Sequence, residues 1–312
     1  CVELGAHLEA EALLETLLGQ ALTARLRADV LFAKAALLFH QGQVANAAEL
    51  LVEISELEFH PSERDRYQLI FLRSQVAFYQ NQFAEVKKIL TPLLAELRRK
   101  APSQELVRTL TDMGAACEEF GEHQEGKKYL QEALRVSKAI GARHLQVVIA
   151  NNLLWGAVTS GKVKPVLPEA EEALALGEYA ATMTLRNNLA RAYFSEKQND
   201  KAKYHYETIT RSSQDPTLLA IAWARLAELY ERDKNPTAIH QALDGALALL
   251  PQTEFSVAHL SVGGAVAKYG TEDQVKQVTP FVEKYLETEA GQEIKNLLAT
   301  RDKPEVTKKA RK

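Results

Sequence analysis

The sequence predicts an all-α chain, a right-handed superhelical solenoid of about seven helix-turn-helix repeats, and three observations carry that expectation. Turn signals recur at Gly42, Asn81, Gly121, Gly161, Lys197, Lys234 and Gly270, with 36–40 residues between neighbours. About five positions after each turn stands a short or apolar residue: Ala47, Val86, Gly126, Val166, Ala202, Ile239 and Val275. No apolar-polar alternation of useful length competes with the helical period.

The third unit displays the logic most clearly. Leu110–His123 reads as a helix with small residues on one face, stopped at Gly121, where a positive φ costs little. A second helix runs from Gly126 through Tyr129, Leu130 and Ala133 to Val136. Gly114, Gly126 and Ala133 fall where the two helices must approach closely. A unit of this size cannot bury its apolar face alone, so neighbours stack, first helices lining a concave wall and second helices facing outward. A chain of 312 residues also exceeds what one globular core comfortably serves, which suits an extended array.

These residues resemble the tetratricopeptide repeat: a small residue in the first helix, a turn, an aromatic or aliphatic residue, then Ala positions in the second helix. The matching runs are Gly114, Gly121 and Ala133; Leu189-Ala190, Tyr193 and Ala202; and Leu226-Ala227, Tyr230, Ala246 and Pro251. The resemblance covers about residues 25–288. The period is longer than the family's usual length of about 34 residues. In that respect the repeats are similar to those in regulatory domains of bacterial transcription activators and in peptide-pheromone receptors. The resemblance implies a scaffold that holds a protein or peptide, plausible as the sensory part of a transcriptional regulator. Inducer sensing in the cavity and a free-standing assembly or chaperone scaffold are the alternatives.

The ends divide off from the array. Residues 1–24 read as a partial repeat, the second helix of a pair whose first helix lies upstream. Residues 289–301 form a capping helix, and 302–312 a disordered basic tail ending Lys308-Lys309-Ala310-Arg311-Lys312. Cys1 fits either a lipid-bearing terminus or a chain cut from a longer protein. The amphipathic run from Ala6 to Leu14, with no polar tether before it, favours the latter.

Composition narrows the chemistry. The net charge is −3 and charged residues make up 25%, so no excess of either sign calls for nucleic acid or an anionic membrane. Two cysteines, Cys1 and Cys117, cannot build a disulfide framework, and a reducing cytoplasm is the expected home. No apolar run approaches the length of about 18 residues needed to span a membrane, and no secretory leader is legible. Catalytic constellations are missing from the pattern: no Gly-rich phosphate loop, no His-Glu-x-x-His, no Cys-x-x-Cys. Gly126-Lys127 is followed by Lys128 where a phosphate loop needs Ser or Thr. Glu118-Glu119 and Glu171-Glu172 point apart on their helices and form no acid-base pair. Cys117 reads as a buried, inert thiol. The expectation is a non-enzyme with no cofactor and no metal, its oligomeric state left open.

Mapping first-helix positions onto the concave wall gives the candidate binding residues. Asn151-Asn152 and Asn187-Asn188 recur at one repeat position, although Asn is a mediocre helix former. An inward amide carries donors and an acceptor that suit a peptide backbone. The run Leu185–Ala190 resembles the Asn-Asn-Leu-Ala segments of peptide-holding tetratricopeptide proteins, which implies that role for Asn151 and Asn187. The same wall carries Arg108, Trp155 and Arg191, and an aromatic strip including Phe71, Phe78 and Tyr79, expected to be exposed.

Overall fold

The computed structural model of the chain describes residues 2–253 and 256–301. Every regular element among them is helical. The chain divides into two compact units, residues 1–152 and 153–312. Cys1 and the 302–312 tail lie outside the described residues.

The first unit opens with α1 (Val2–Leu18). Helix pairs follow: α2 (Ala24–His40) with α3 (Val44–Glu56), α4 (Glu63–Tyr79) with α5 (Phe83–Leu97), and α6 (Gln104–Glu119) with α7 (His123–Ala139). The division into units falls within α8 (Arg143–Thr159). The second unit continues with α9 (Leu167–Leu174), then α10 (Thr182–Ser195) with α11 (Asn199–Ser212) and α12 (Pro216–Arg232) with α13 (Pro236–Leu247). Next come α14 (Ser256–Tyr269) with α15 (Glu272–Val282), and finally α16 (Glu289–Arg301). Among the described residues a helix stands on either side of each of the seven expected turns.

Six of the seven expected turns share one backbone device. Gly42, Asn81, Gly121, Gly161, Lys197 and Lys234 all take positive φ, between 54° and 85°. In each, the next residue donates its N–H to a carbonyl five residues back, as from Glu122 to Cys117 (2.8 Å) and from Gln198 to Tyr193 (2.9 Å). That six-to-one bond satisfies a helix-end carbonyl and swings the chain back into the second helix. Gly270 departs from the expectation. It is absent from the left-handed positions, and α15 starts instead on a capping box between Thr271 and Gln274. The register shifts with it: Gln274 is buried where Val275 was expected to pack.

Packing follows the small residues. A Cβ on Gly114 would stand 2.6 Å from Leu130 Cγ, and one on Gly126 would stand 2.9 Å from the Gly114 carbonyl. Only glycine lets α6 and α7 come this close. First helices α2, α4, α6 and α12 begin on side-chain caps from Thr23, Ser62, Ser103 and Asp215. The core of the first unit includes Leu31, Ile54, Leu90 and Leu110; that of the second includes Leu185, Tyr193, Tyr206 and Val262. No helix among the described residues is long and apolar enough to cross a membrane.

Candidate functional site

In the first unit, α4, α6 and the start of α8 line a groove with two hollows. The larger, about 900 Å3, is bordered by Gln68, Phe71, Lys100, Arg108 and His144. The smaller, about 210 Å3, is bordered by Gln75, Phe78, Tyr79, Asp112 and Asn152. Helix spacing explains the repetition: Gln68 and Gln75 lie two turns apart on α4, Arg108 and Asp112 one turn apart on α6.

The aromatic strip is shorter than the sequence suggests. Phe71 is only 4% exposed, covered by the Arg108 guanidinium 4.2 Å above its ring. Thr111, one turn after Arg108 on α6, is buried and donates its hydroxyl to the Val107 carbonyl (2.8 Å). The open aromatic surface is Tyr79, 64% exposed, and half-buried Phe78. Tyr79 sets its ring edge-on to Phe39 at 5.2 Å, and Phe78 packs likewise on Phe83 at 5.3 Å.

Asp112 is the functional candidate that sequence reasoning passes over. Its Oδ2 is buried without a hydrogen bond, and Arg108 Nε stands 3.9 Å away, beyond bonding reach. Burial pushes its pKa up to about 6 against a modest pull from Arg108. The one available signal was its spacing, one helical turn after Arg108.

Beside the larger hollow the polar groups are fully engaged. Glu96 accepts from Arg66 (2.7 Å), the Tyr67 hydroxyl (2.7 Å) and Lys100 (2.9 Å). These bonds, the one from Arg66 first, hold its pKa down to about 2. Lys100 also donates to Tyr67 and Glu63, which raises its own pKa. Asn151 is half-buried, with its amide directed at Asn152 Oδ1 (3.4 Å).

In the second unit Arg191 lies flat over Trp155, its guanidinium carbon 4.8 Å from the ring centroid. Trp155 is 36% exposed. Asn187, one turn before Arg191 on α10, is 7% exposed with Oδ1 unbonded, and Asn188 is buried. The eight expected site residues therefore fall into two sets, Phe71, Phe78, Tyr79, Arg108 and Asn151 in one unit and Trp155, Asn187 and Arg191 in the other.

Cys117 is buried, and desolvation pushes its thiol up to about 12, so it is a poor nucleophile. Ligand atoms of Cys117, Glu122 and Glu125 lie within 4.8 Å of one another, the one metal-sized grouping among the described residues. Lys87 already serves it as counter-ion, bonded to Glu122 and 3.8 Å from Glu125.

No family model and no curated protein sequence matches the chain. Its fold, however, is similar to several solved structures. A Rap protein complexed with competence and sporulation factor superposes with a TM-score of 0.64 at 16% identity, over 90% of this chain and 78% of that one. The quorum sensor NprR, from B. thuringiensis in its apo form, gives 0.53 at 14% in complex with its cognate peptide NprX, over 88% of this chain and 83% of that one. A signal-transduction ATPase with a tetratricopeptide-repeat sensor, from Pyrococcus horikoshii, gives 0.56 at 16%, over 95% of this chain and 42% of that one. These likenesses define the class: the chain is a repeat protein of tetratricopeptide-like fold.

Proposed function

We propose that the chain is a peptide-binding scaffold, and that the α4–α6–α8 groove of the first unit receives the peptide. The observation that carries this is the pair of hollows, which together offer an open aromatic edge, side-chain amides, one stacked arginine and one half-buried carboxylate whose Oδ2 has no hydrogen bond. Concave sites with apolar walls and a few convergent polar groups are where ligands settle. Gln68, Gln75 and Asn152 can meet backbone N–H and C=O groups irrespective of sequence, while Phe78 and Tyr79 supply apolar contact. The folds that resemble this one include NprR in complex with its cognate peptide NprX, which favours the same reading. A sensory role within a bacterial transcriptional regulator is the finer form of the proposal.

An array of random synthetic heptapeptides with free carboxyl termini tests it on the full chain. Selected peptides should lose about tenfold or more in affinity when Gln75→Ala and Tyr79→Ala are combined, with the fold intact by circular dichroism. An array with no reproducible binders, or binders indifferent to both changes and to Arg108→Ala, would sink the proposal.

A further inference from the structure

Helix α4 has a second working face. Arg73, Val76, Ala77 and Gln80 recur at helical spacing, and together with residues of α3 and α5 they border a hollow of about 290 Å3. None of the residues around this hollow borders either hollow of the groove. Its walls are largely apolar. Leu51 and Val76 are buried, Ile89 is half-buried, and Val52 is 59% exposed.

Arg73 is the one basic group bordering the hollow, and nothing there balances its charge. Its Nη2 donates to the Leu51 carbonyl (3.1 Å), and it makes no ion pair among the described residues. Glu85, the one carboxylate at the hollow, is held by Lys88 at 3.1 Å. Burial therefore keeps the Arg73 guanidinium below its usual basicity, with no anion to oppose the effect. Arg66 and Arg98 in the same unit are raised instead, because Glu96 and Glu132 accept their hydrogen bonds. A guanidinium carries five N–H donors, and this one spends a single nitrogen on the protein.

We propose that the α3–α4–α5 hollow docks a partner protein that presents an acidic side chain beside an aliphatic one, the carboxylate on Arg73 and the aliphatic group on Val52 and Ile89. Charge complementarity selects that partner, since an unpaired guanidinium between apolar walls is matched by a planar anion carried on an apolar surface. Partial desolvation makes such a pair stronger than one in open water. Exposed Val52 adds the apolar area that an isolated ion pair lacks. The inference stands apart from the peptide reading, because the two sites share no residue and use different faces of α4.

The test uses the full chain with isotope-labelled arginine, read from the side-chain Nε–H signals, and dipeptide probes blocked at both ends. N-acetyl-glutamyl-leucine methylamide should shift the Arg73 signal saturably, and its glutaminyl counterpart should bind at least about tenfold more weakly. Arg73→Gln identifies that signal by its loss. Val52→Ser, at an exposed position, should weaken the glutamyl probe about threefold while the melting temperature stays that of the parent. Tyr79→Ala, in the groove, should leave the titration unchanged. Equal binding of the two probes, a shift of Arg108 in place of Arg73, indifference to Val52→Ser or the absence of a saturable shift would overturn the proposal. So would tighter binding of inorganic phosphate than of the glutamyl probe.

Discussion

Each unit buries a tyrosine against charged neighbours, and the two are treated in opposite ways. Tyr67 is 7% exposed, and its hydroxyl is in hydrogen-bond reach of Glu63, Glu96 and Lys100. Tyr206 is fully buried, and its hydroxyl meets no partner although two arginines act on it. The first setting is a closed ionic network that ties the ends of α4 and α5 together. In the second no partner is present, which costs stability. A saturated polar cluster is architecture; an unsaturated one is a place to look for function.

The largest way to break that contrast is Glu96→Ala, which removes the shared acceptor of Arg66, Tyr67 and Lys100. Partial solvent exposure moderates the effect, and a loss of about 1–2 kcal/mol in urea melts is expected. Because the folded chain holds Glu96 at about pH 2, its stabilisation is complete above the ordinary glutamate range and is lost as pH falls toward that value. The acid limb of the melt should therefore be shallower in the variant.

Smaller and sharper is the paired test of the tyrosines. Tyr67→Phe should cost about 1 kcal/mol, while Tyr206→Phe, which discards an unpaired buried hydroxyl, should be neutral or stabilising by up to about 1 kcal/mol. Differential scanning calorimetry on both decides it; destabilisation by both would mean that the Tyr206 hydroxyl is satisfied in solution.

Asp112 extends the comparison to pH. Its folded pKa of about 6 lies above the unfolded value, so the folded chain binds the proton more tightly. Stability from this group is full below the ordinary aspartate range and falls as pH rises through 6. Asp112→Asn should remove that decline and gain about 1 kcal/mol at neutral pH, the value held low because the side chain is 29% exposed. A pH series of melts with no difference between variant and parent would count against the buried carboxylate.

The smallest effect concerns the turns. The first unit uses Gly42, Asn81 and Gly121 at positive φ, the second Gly161, Lys197 and Lys234. Lys197→Gly relieves left-handed strain but frees the unfolded chain, and a net gain of a few tenths to about 1 kcal/mol is expected.

The turns were the most legible part of the molecule in its sequence, because a left-handed residue closing a helix is set by local sterics. Gly270 misled, since a glycine signals that positive φ is permitted and not that it is used; the capping box at Thr271 stops the chain there. The candidate site was legible only in part. Repeat position told which way Phe71 points, but not that Arg108, from the next pair, covers it. Asp112 read as an ordinary helical polar residue, because the hollow it borders is completed by residues of α4 and α8. Repeat position singled out Arg191 and Trp155 separately, but not that the guanidinium stacks on the ring.

By itself the sequence determined an all-α array of seven helix pairs and the points where each pair folds back, because helical period and left-handed turns are decided within a few residues. Only the tertiary structure decided which polar groups are satisfied. A covering side chain, a balancing charge and most hydrogen-bond partners come from another helix, and whether Tyr67 is saturated and Tyr206 bare depends on what that neighbour brings.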